Sequence, residues 1–272
     1  MLRPYFAVLA SHFQLMLQYR VAAIAGFATQ CWWGAIKIMV FAAFFAGSGG
    51  AGPMSLEHTV DYIWLGQALL VLLPWGVDAD IAEMVRSGAV GYERLRPVDT
   101  YTLWYCRSLS GMAARVLPRA VLMVSVAAVL MPLIGLGQWS LRPPAGLAAL
   151  GFFTLSITAT MLLSAAMRVI LSIVVVASLT DRGVNMLATP LINTLSGTII
   201  PLAFFPAWAV EVMRVLPFAG LADTPFRIWF GELSGQAAAG AILTQLAWAA
   251  AIALIGRFAL GQVMARLQVQ GG

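Results

Sequence analysis

Hydrophobic positions in this chain gather in long runs that polar residues, glycines and prolines interrupt. A helix needs about 20 mostly apolar residues to cross the hydrocarbon core of a bilayer. The Gly-rich residues 47–53 end the first run, and Pro143 and Pro144 open the fourth. The runs of suitable length are 21–46, 60–77, 116–136, 145–179, 187–205 and 237–260. The pattern predicts an all-α integral membrane protein with six transmembrane helices.

The composition agrees with that prediction. Hydrophobic residues make up 61% of the chain and charged residues 10%, whereas soluble domains are about half apolar and about a quarter charged. A soluble protein of 272 residues could not cover so much apolar surface with so few charges. The surplus must face lipid, which excludes the soluble classes of protein.

Basic residues fall unevenly on the two sides of the predicted spans. With the N-terminus inside, twelve arginines are cytoplasmic and three are external, and the positive-inside rule then predicts that both termini are cytoplasmic. This bias explains the formal charge of +5 without a nucleic-acid partner. The cytoplasmic set is Arg3, Arg20, Arg86, Arg94, Arg96, Arg107, Arg115, Arg119, Arg168, Arg182, Arg257 and Arg266, and the external set is Arg142, Arg214 and Arg227.

Residues 1–20 have the pattern of an amphipathic helix. Phe6, Leu9 and Phe13 share one face at helical spacing, and Arg3 and Gln14 lie on the opposite face. Such a helix lies along the bilayer surface. The alternative is a plain cytoplasmic extension of the first span. We do not expect a signal peptide, because no apolar stretch ending in small residues is present.

The segment 78–100 is predicted to be cytoplasmic and to contain a short helix over residues 78–88. Asp78 and Asp80 lie at its positive end and Arg86 near its negative end. Gly88 suits the position after the helix, where a positive φ is usual. A short helix with charges at both ends is suited to docking on another protein. The alternative is a solvated connection whose arginines contact lipid phosphates.

The external segment 200–236 combines helix-breaking prolines with many aromatic residues. Prolines at 201, 206, 217 and 225 forbid one continuous helix. Broken apolar helices at membrane depth indicate a re-entrant or interfacial cap. An ordinary belt of interfacial aromatic residues is the alternative.

Sites for chemistry are sparse. Cys31 and Cys106 form no metal-binding pair, and His12 and His58 are far apart. Lys37 is the only lysine and lies within a predicted span, so the chain has no P-loop. The motifs of serine hydrolases and zinc proteases are also missing. We therefore expect no enzymatic activity and no cofactor in this chain.

Two stretches carry a resemblance to a known family. They are Arg86-Ser-Gly88 through Leu95-Arg-Pro97-Val-Asp99, and Ser196-Gly197 with Pro201, Phe205-Pro206, Trp208, Pro217-Phe218, Pro225 and Gly231. With these residues the chain resembles the permeases of ABC-2 type transporters, and more narrowly the six-span viologen-exporter-type permeases. It departs from that pattern at Tyr92-Glu93-Arg94, where more apolar residues are usual.

The resemblance implies a type-2 ABC exporter fold in which residues 1–272 form one transmembrane permease domain. Residues 1–20 would be the elbow helix, 78–100 the coupling segment and 200–236 the re-entrant segment. Two permeases, identical or related, would assemble with two ABC ATPase subunits that bind ATP and Mg²⁺, in the cytoplasmic (inner) membrane of a bacterium. The implied coupling residues are Asp80, Glu83, Arg86, Gly88, Arg96 and Pro97. The implied re-entrant residues are Pro201, Phe205, Pro206, Trp208, Pro217 and Phe218.

In such exporters the pathway runs between two permeases, along the first, second and fifth spans. Aromatic residues there would suit an amphipathic organic compound through stacking and cation–π contacts. Ordinary helix packing is the alternative for each candidate, and Lys37 could also reach outward to the interface. A stand-alone secondary transporter is the competing function, with Lys37 as its one plausible intramembrane charge. The pathway candidates are Trp32, Trp33, Lys37, Trp64, Gln67 and Asn193.

Overall fold

The computed structural model describes residues 3–17, 20–95 and 97–266, and all regular secondary structure in them is helical. Within these ranges four helices are long and apolar enough to cross a membrane. They are Ala25–Gly47, Thr100–Leu133, Leu147–Ser178 and Gly235–Ala265. The chain is an α-helical membrane protein, as the hydrophobic pattern predicts.

The α-helices of the described residues follow one another with short 3₁₀ turns between them. They are α1 (Arg3–Leu17), α2 (Arg20–Gly47), α3 (Leu56–Ala68), α4 (Ala79–Arg86), α5 (Thr100–Ser125), α6 (Met131–Leu133), α7 (Leu147–Ser178), α8 (Arg182–Leu195), α9 (Ala207–Val215), α10 (Asp223–Trp229) and α11 (Gly235–Arg266). A π-helical turn, Val126–Leu130, joins α5 to α6, so that residues 100–133 form one continuous rod.

Two of the six predicted spans are not confirmed as membrane-crossing helices. At the second, α3 has 13 residues, and at the fifth, α8 has 14 residues. Both are shorter than the roughly 20 residues a single crossing helix needs. Pro74 and Pro201 follow these helices, and a proline cannot continue the backbone hydrogen bonding of a helix.

The helix that contains the third predicted span begins well before that span. Its helix starts at Thr100 rather than at residue 116, because Asp99 caps it: the Thr102 N–H donates to Asp99 Oδ2 at 2.9 Å. An N-cap side chain of this kind stabilises the first helical turn. The polar residues from Arg107 to Arg115 lower the mean hydropathy of the first half of this helix, so the hydropathy pattern does not include it in the span.

Neighbouring long helices run parallel in two pairs. Arg119 lies against Gly26, and the Cys31 thiol donates to the Met123 sulfur at 3.8 Å, so α2 and α5 run in the same direction. The Ser156 hydroxyl donates to Gln245 Oε1 at 2.9 Å at one level of α7 and α11. Farther along both helices, Gly256 of α11 lies against Ile170 of α7, so these helices are parallel as well. In each pair the intervening chain returns from one end to the other.

The core surrounds α3 and the facing sides of α5 and α7. Every residue of α3 from Thr59 to Ala68 is buried. Gln245 joins three elements there, because its Nε2 donates to Gly220 O at 2.7 Å while its Oε1 accepts from Ser156. Such polar pairs between helices satisfy groups that lipid cannot. The helix α1 lies along α5, where the Ser110 hydroxyl donates to Leu9 O at 2.8 Å.

Candidate functional site

The predicted short helix of the coupling segment is present as α4. Asp78 is its N-cap, with its side chain accepting from the Asp80 N–H at 3.0 Å. Gly88 follows the helix with φ of 73°, the left-handed conformation predicted from the sequence. Ile81 and Ala82 are buried, so α4 lies with one face on the bundle and its charged face outward.

Arg86 ties α4 to a distant part of the chain. Its guanidinium lies 2.8 Å from Glu83 Oε2 and 3.2 Å from Asp181 Oδ2, in the loop between α7 and α8. The hydrogen bond and charge of Glu83 raise the pKa of Arg86, so its positive charge persists at all physiological pH values. The Asp181 contact was not predicted, because 95 residues separate the two partners.

Large apolar side chains lie exposed beside these charges. Tyr92 is 67% exposed and Leu95 78% exposed, on the 3₁₀ turn Ala89–Leu95. Leu179 is 69% exposed at the end of α7, with φ of 55°. We call Glu83, Arg86, Tyr92, Leu95 and Leu179 the α4 surface. Apolar groups rimmed by charges in this way are typical of a protein-binding surface.

The remaining coupling candidates are only partly placed. Pro97 and Gly88 are exposed next to the α4 surface. Arg96 lies outside the described residues, so its predicted role stays a prediction.

The pathway candidates divide into exposed and buried groups. Trp32 and Trp33 are exposed on α2. Trp64 is 1% exposed, and its indole N–H donates to Trp139 O at 2.7 Å. Trp64 is therefore a core residue of this chain rather than part of a surface that a second chain would face. Gln67 is buried on the same helix and packs against Gly34 of α2.

Lys37 and Asn193 are linked through Thr198, just beyond the end of α8. The Lys37 ammonium donates to Thr198 O at 2.8 Å, and the Thr198 N–H donates to Asn193 O at 3.1 Å. We call residues 193–201 the α8 turn. Thr198 lies beyond Leu195, the last residue of α8, so the lysine satisfies a carbonyl of this turn that no helix pairs.

Gly197 at the centre of the α8 turn cannot be replaced without strain. Its φ is 84°, and a Cβ at this position would collide with the Tyr62 hydroxyl of α3. The turn is thus held between Lys37 of α2 and Tyr62 of α3. It is the one place where the predicted pathway residues of different helices are brought together in the described part of the chain.

The predicted external segment is broken into α9, α10 and 3₁₀ turns, as its prolines require. Phe204 packs on α2, with its ring centroid 5.1 Å from that of Phe41 and 5.8 Å from that of Phe44. Pro201 is buried, Phe205, Pro217 and Phe218 are half-buried, and Pro206 and Trp208 are exposed.

A buried carboxylate joins the pieces of this segment. Asp223 is 2% exposed and lies 3.4 Å from Arg214 Nε and 3.9 Å from Arg227 Nη1. Burial raises the pKa of Asp223 to about 6, although both arginines act to lower it. Arg227 also pairs with Glu232 at 3.1 Å. These contacts join α9 to α10 and to the residues that follow it.

A second buried carboxylate anchors the loop before α7. Asp61 of α3 accepts from the Arg142 N–H at 2.8 Å, and Arg142 also pairs with Glu57 at 2.9 Å. The Asp61–Arg142 contact was not predicted, because 81 residues separate the two partners, whereas Asp223 and its two arginines are neighbours within the external segment. The described residues contain no group of three or more His, Cys, Asp or Glu side chains able to hold a metal ion.

Comparisons of the chain with protein-family profiles, with characterised proteins and with solved structures give no match.

Proposed function

We propose that this chain is the transmembrane permease subunit of an ATP-driven ABC exporter that works with a separate ATPase subunit. The observation that carries the proposal is the α4 surface. It combines exposed Tyr92, Leu95 and Leu179 with the fixed charges of Glu83 and Arg86. An apolar surface with a charged rim, on the side that the arginine bias makes cytoplasmic, fits a soluble protein partner.

Six crossings of the membrane are part of this proposal. Parallel pairing of α2 with α5, and of α7 with α11, supports two return crossings. The first return would run through α3 and the 3₁₀ turn Leu70–Leu72, and the second through α8 and the α8 turn. Broken helices are tolerated at membrane depth where neighbouring helices satisfy the free backbone groups.

The pathway would lie where two permeases meet along α2 and α8. Both helices present apolar side chains away from their own bundle. An interface of two such faces would place Trp32 and Trp33 beside the transported molecule, where aromatic rings favour an amphipathic organic compound. The exposed residues on the two helices include Trp32, Trp33, Met39, Val40, Met186, Leu187 and Leu191.

The competing function, a secondary transporter, depends on Lys37. The ammonium of this residue donates a hydrogen bond to Thr198 O. Such a contact fits a structural role better than an ion-coupling role, in which the ammonium must change partners in each cycle. This contact favours the exporter over the secondary transporter.

The test is reconstitution of the tagged chain with the ATPase subunit that copurifies with it, followed by measurement of ATP hydrolysis. We expect Tyr92→Asp and Leu95→Asp to lose the ATPase from the complex. Trp208→Asp is the matched control, because Trp208 is equally exposed but lies on the predicted external side. An ATPase retained by both α4-surface variants, or transport driven by an ion gradient alone, would overturn the proposal.

A further inference from the structure

Three arginines of the long helices lie together near one end of the bundle. Arg115 and Arg119 are one helical turn apart on α5, and Arg168 is on α7. Ala165 of α7, about one turn before Arg168, packs in one cluster with Met112 and Val116 of α5, and Arg119 extends to the backbone of α2 at Gly26. We call these three residues the arginine cluster.

The lengths of the helices put Arg115 and Arg168 at headgroup depth on the predicted cytoplasmic side, with Arg119 one helical turn deeper. Arg115 precedes Leu133, the other end of its rod, by 18 residues, which is about 27 Å at 1.5 Å per residue. Arg168 follows Leu147, the external start of α7, by 21 residues, or about 32 Å. Both distances are close to the roughly 30 Å thickness of the hydrocarbon core.

The cluster carries more positive charge than its neighbours neutralise. Asp78 is the one carboxylate in the described residues that acts on Arg115 and Arg168, and its side chain also caps α4. None of the three arginines forms an ion pair with a described carboxylate.

The hydrogen-bonding capacity of the cluster is also unfilled. Arg168 Nε is buried and has no hydrogen-bond partner among the described residues. Within the described part of the chain, Arg115 donates only its Nε, to Gly111 O at 2.8 Å, and the residue is exposed. A buried donor without a partner is costly, so this site is built for an acceptor that comes from elsewhere.

We propose that the arginine cluster binds the phosphate group of an anionic phospholipid of the cytoplasmic leaflet. A guanidinium donates two parallel hydrogen bonds to a phosphate, and the single negative charge of a phospholipid phosphate would offset part of the positive charge of the cluster. The headgroup depth of the cluster assigns the phosphate to a lipid rather than to a soluble ion. Basic pockets between helices on the cytoplasmic side bind such headgroups in other membrane proteins. This inference does not depend on the proposed function.

The test is native mass spectrometry of the purified full-length chain in detergent, titrated with dioleoyl phosphatidylglycerol or with dioleoyl phosphatidylcholine. We expect one tightly retained phosphatidylglycerol per chain. Arg115→Gln and Arg168→Gln should each weaken its retention about five- to tenfold, because one cation near a lipid phosphate contributes a factor of that size. Arg257→Gln is the control, since this exposed arginine pairs with Asp99 and lies outside the cluster.

The outcomes separate the possible ligands. Arginine-dependent retention of phosphatidylglycerol but not phosphatidylcholine supports the proposal. If inorganic phosphate competes for the site at millimolar concentration, the site binds phosphate but not specifically that of a lipid, and the lipid proposal is overturned. Equal retention by wild type, Arg115→Gln and Arg168→Gln would overturn the site altogether. Circular dichroism measures the helix content and melting temperature of each variant and so identifies any misfolded protein. Because Arg115 is exposed, Arg115→Gln leaves the core intact.

Discussion

The ammonium group of Lys37 lies 2.8 Å from the backbone oxygen of Thr198, and this contact joins the middle of α2 to the broken end of α8. The sequence allows two positions for the side chain of this lysine: it could reach outward to the membrane interface, or it could face a wet cavity between two permeases. The structure shows a third, in which the side chain donates to a carbonyl of the α8 turn within its own chain. The one lysine of the protein thus satisfies a backbone acceptor where the chain has left α8.

We predict that Lys37→Met destabilises the chain by about 1–3 kcal/mol, because the Thr198 carbonyl loses its donor in an apolar setting. Thermal unfolding in detergent, followed by circular dichroism, measures this loss. Trp33→Met is the control one turn earlier on α2, where the side chain is exposed. ATP-dependent export in vesicles containing the partner ATPase should persist in Lys37→Met. Ion-driven transport by the chain alone, lost in that variant, would contradict the exporter proposal.

Charge reversal at Arg86 or Glu83 should uncouple ATP hydrolysis from transport without unfolding the chain. Both side chains are exposed, and exposed ion pairs contribute little to stability, whereas a docking surface depends on the sign of its charges. The measurement is substrate-stimulated ATP hydrolysis in the reconstituted complex, with the melting temperature as a folding check. Normal substrate stimulation of ATP hydrolysis in both Arg86→Glu and Glu83→Lys would show that α4 does not couple ATP hydrolysis to transport.

Gly197→Ala should destabilise the chain more than Gly88→Ala. Both glycines have a positive φ, which costs an alanine about 1–2 kcal/mol. A Cβ at Gly197 would also meet the Tyr62 hydroxyl, whereas no atom lies within 4 Å of one at Gly88. Melting temperatures of the two variants separate backbone strain from collision. Adding Tyr62→Phe should restore part of the loss at Gly197, and an unchanged deficit in that double variant would show that the hydroxyl is not the obstacle.

The buried carboxyl of Asp223 predicts a pH dependence of stability. Its pKa is about 6 in the folded protein, above the ordinary value of 3.8, so the folded state binds the proton more tightly than the unfolded chain does. Stability should therefore be greatest below about pH 4, fall by up to about 3 kcal/mol as pH rises to about 6, and stay level above that. Asp223→Asn should flatten this slope in melting curves recorded from pH 4 to 7. A slope unchanged in the variant would assign it to another group.

Single cysteines should label on opposite sides of the membrane if α3 forms part of a return crossing. We expect positions 57 and 211 to react with an impermeant thiol reagent from outside, and positions 86, 94 and 270 only after permeabilisation. The background is a chain in which Cys31 and Cys106 are replaced by alanine. A four-crossing arrangement without the two returns predicts labelling of positions 57 and 86 from the same side.

Local signals account for what the sequence predicts well. The helix α4, its Asp78 cap and the turn at Gly88 depend on neighbouring residues, and the prolines of the external segment break it as expected. Hydropathy located the long helices but did not show that α5 starts at Thr100. Neither its N-cap nor its polar first half raises the mean hydropathy of the segment. The contacts of Lys37 with Thr198, of Arg86 with Asp181 and of Asp61 with Arg142 join residues far apart in the chain. No pattern within one sequence specifies them.

The short helix α8 has a mechanical consequence. Near its first turn Asn185 accepts from the Val77 N–H at 3.0 Å, and the preceding Asp181 is paired with Arg86 of α4. Its other end is fastened to Lys37 through the α8 turn. The 14-residue helix α8 is about 21 Å long and has Pro190 in its interior. Because it connects the contacts of α4 to the α8 turn, a displacement of α4 would reach that turn through α8 without any need to bend the long helices.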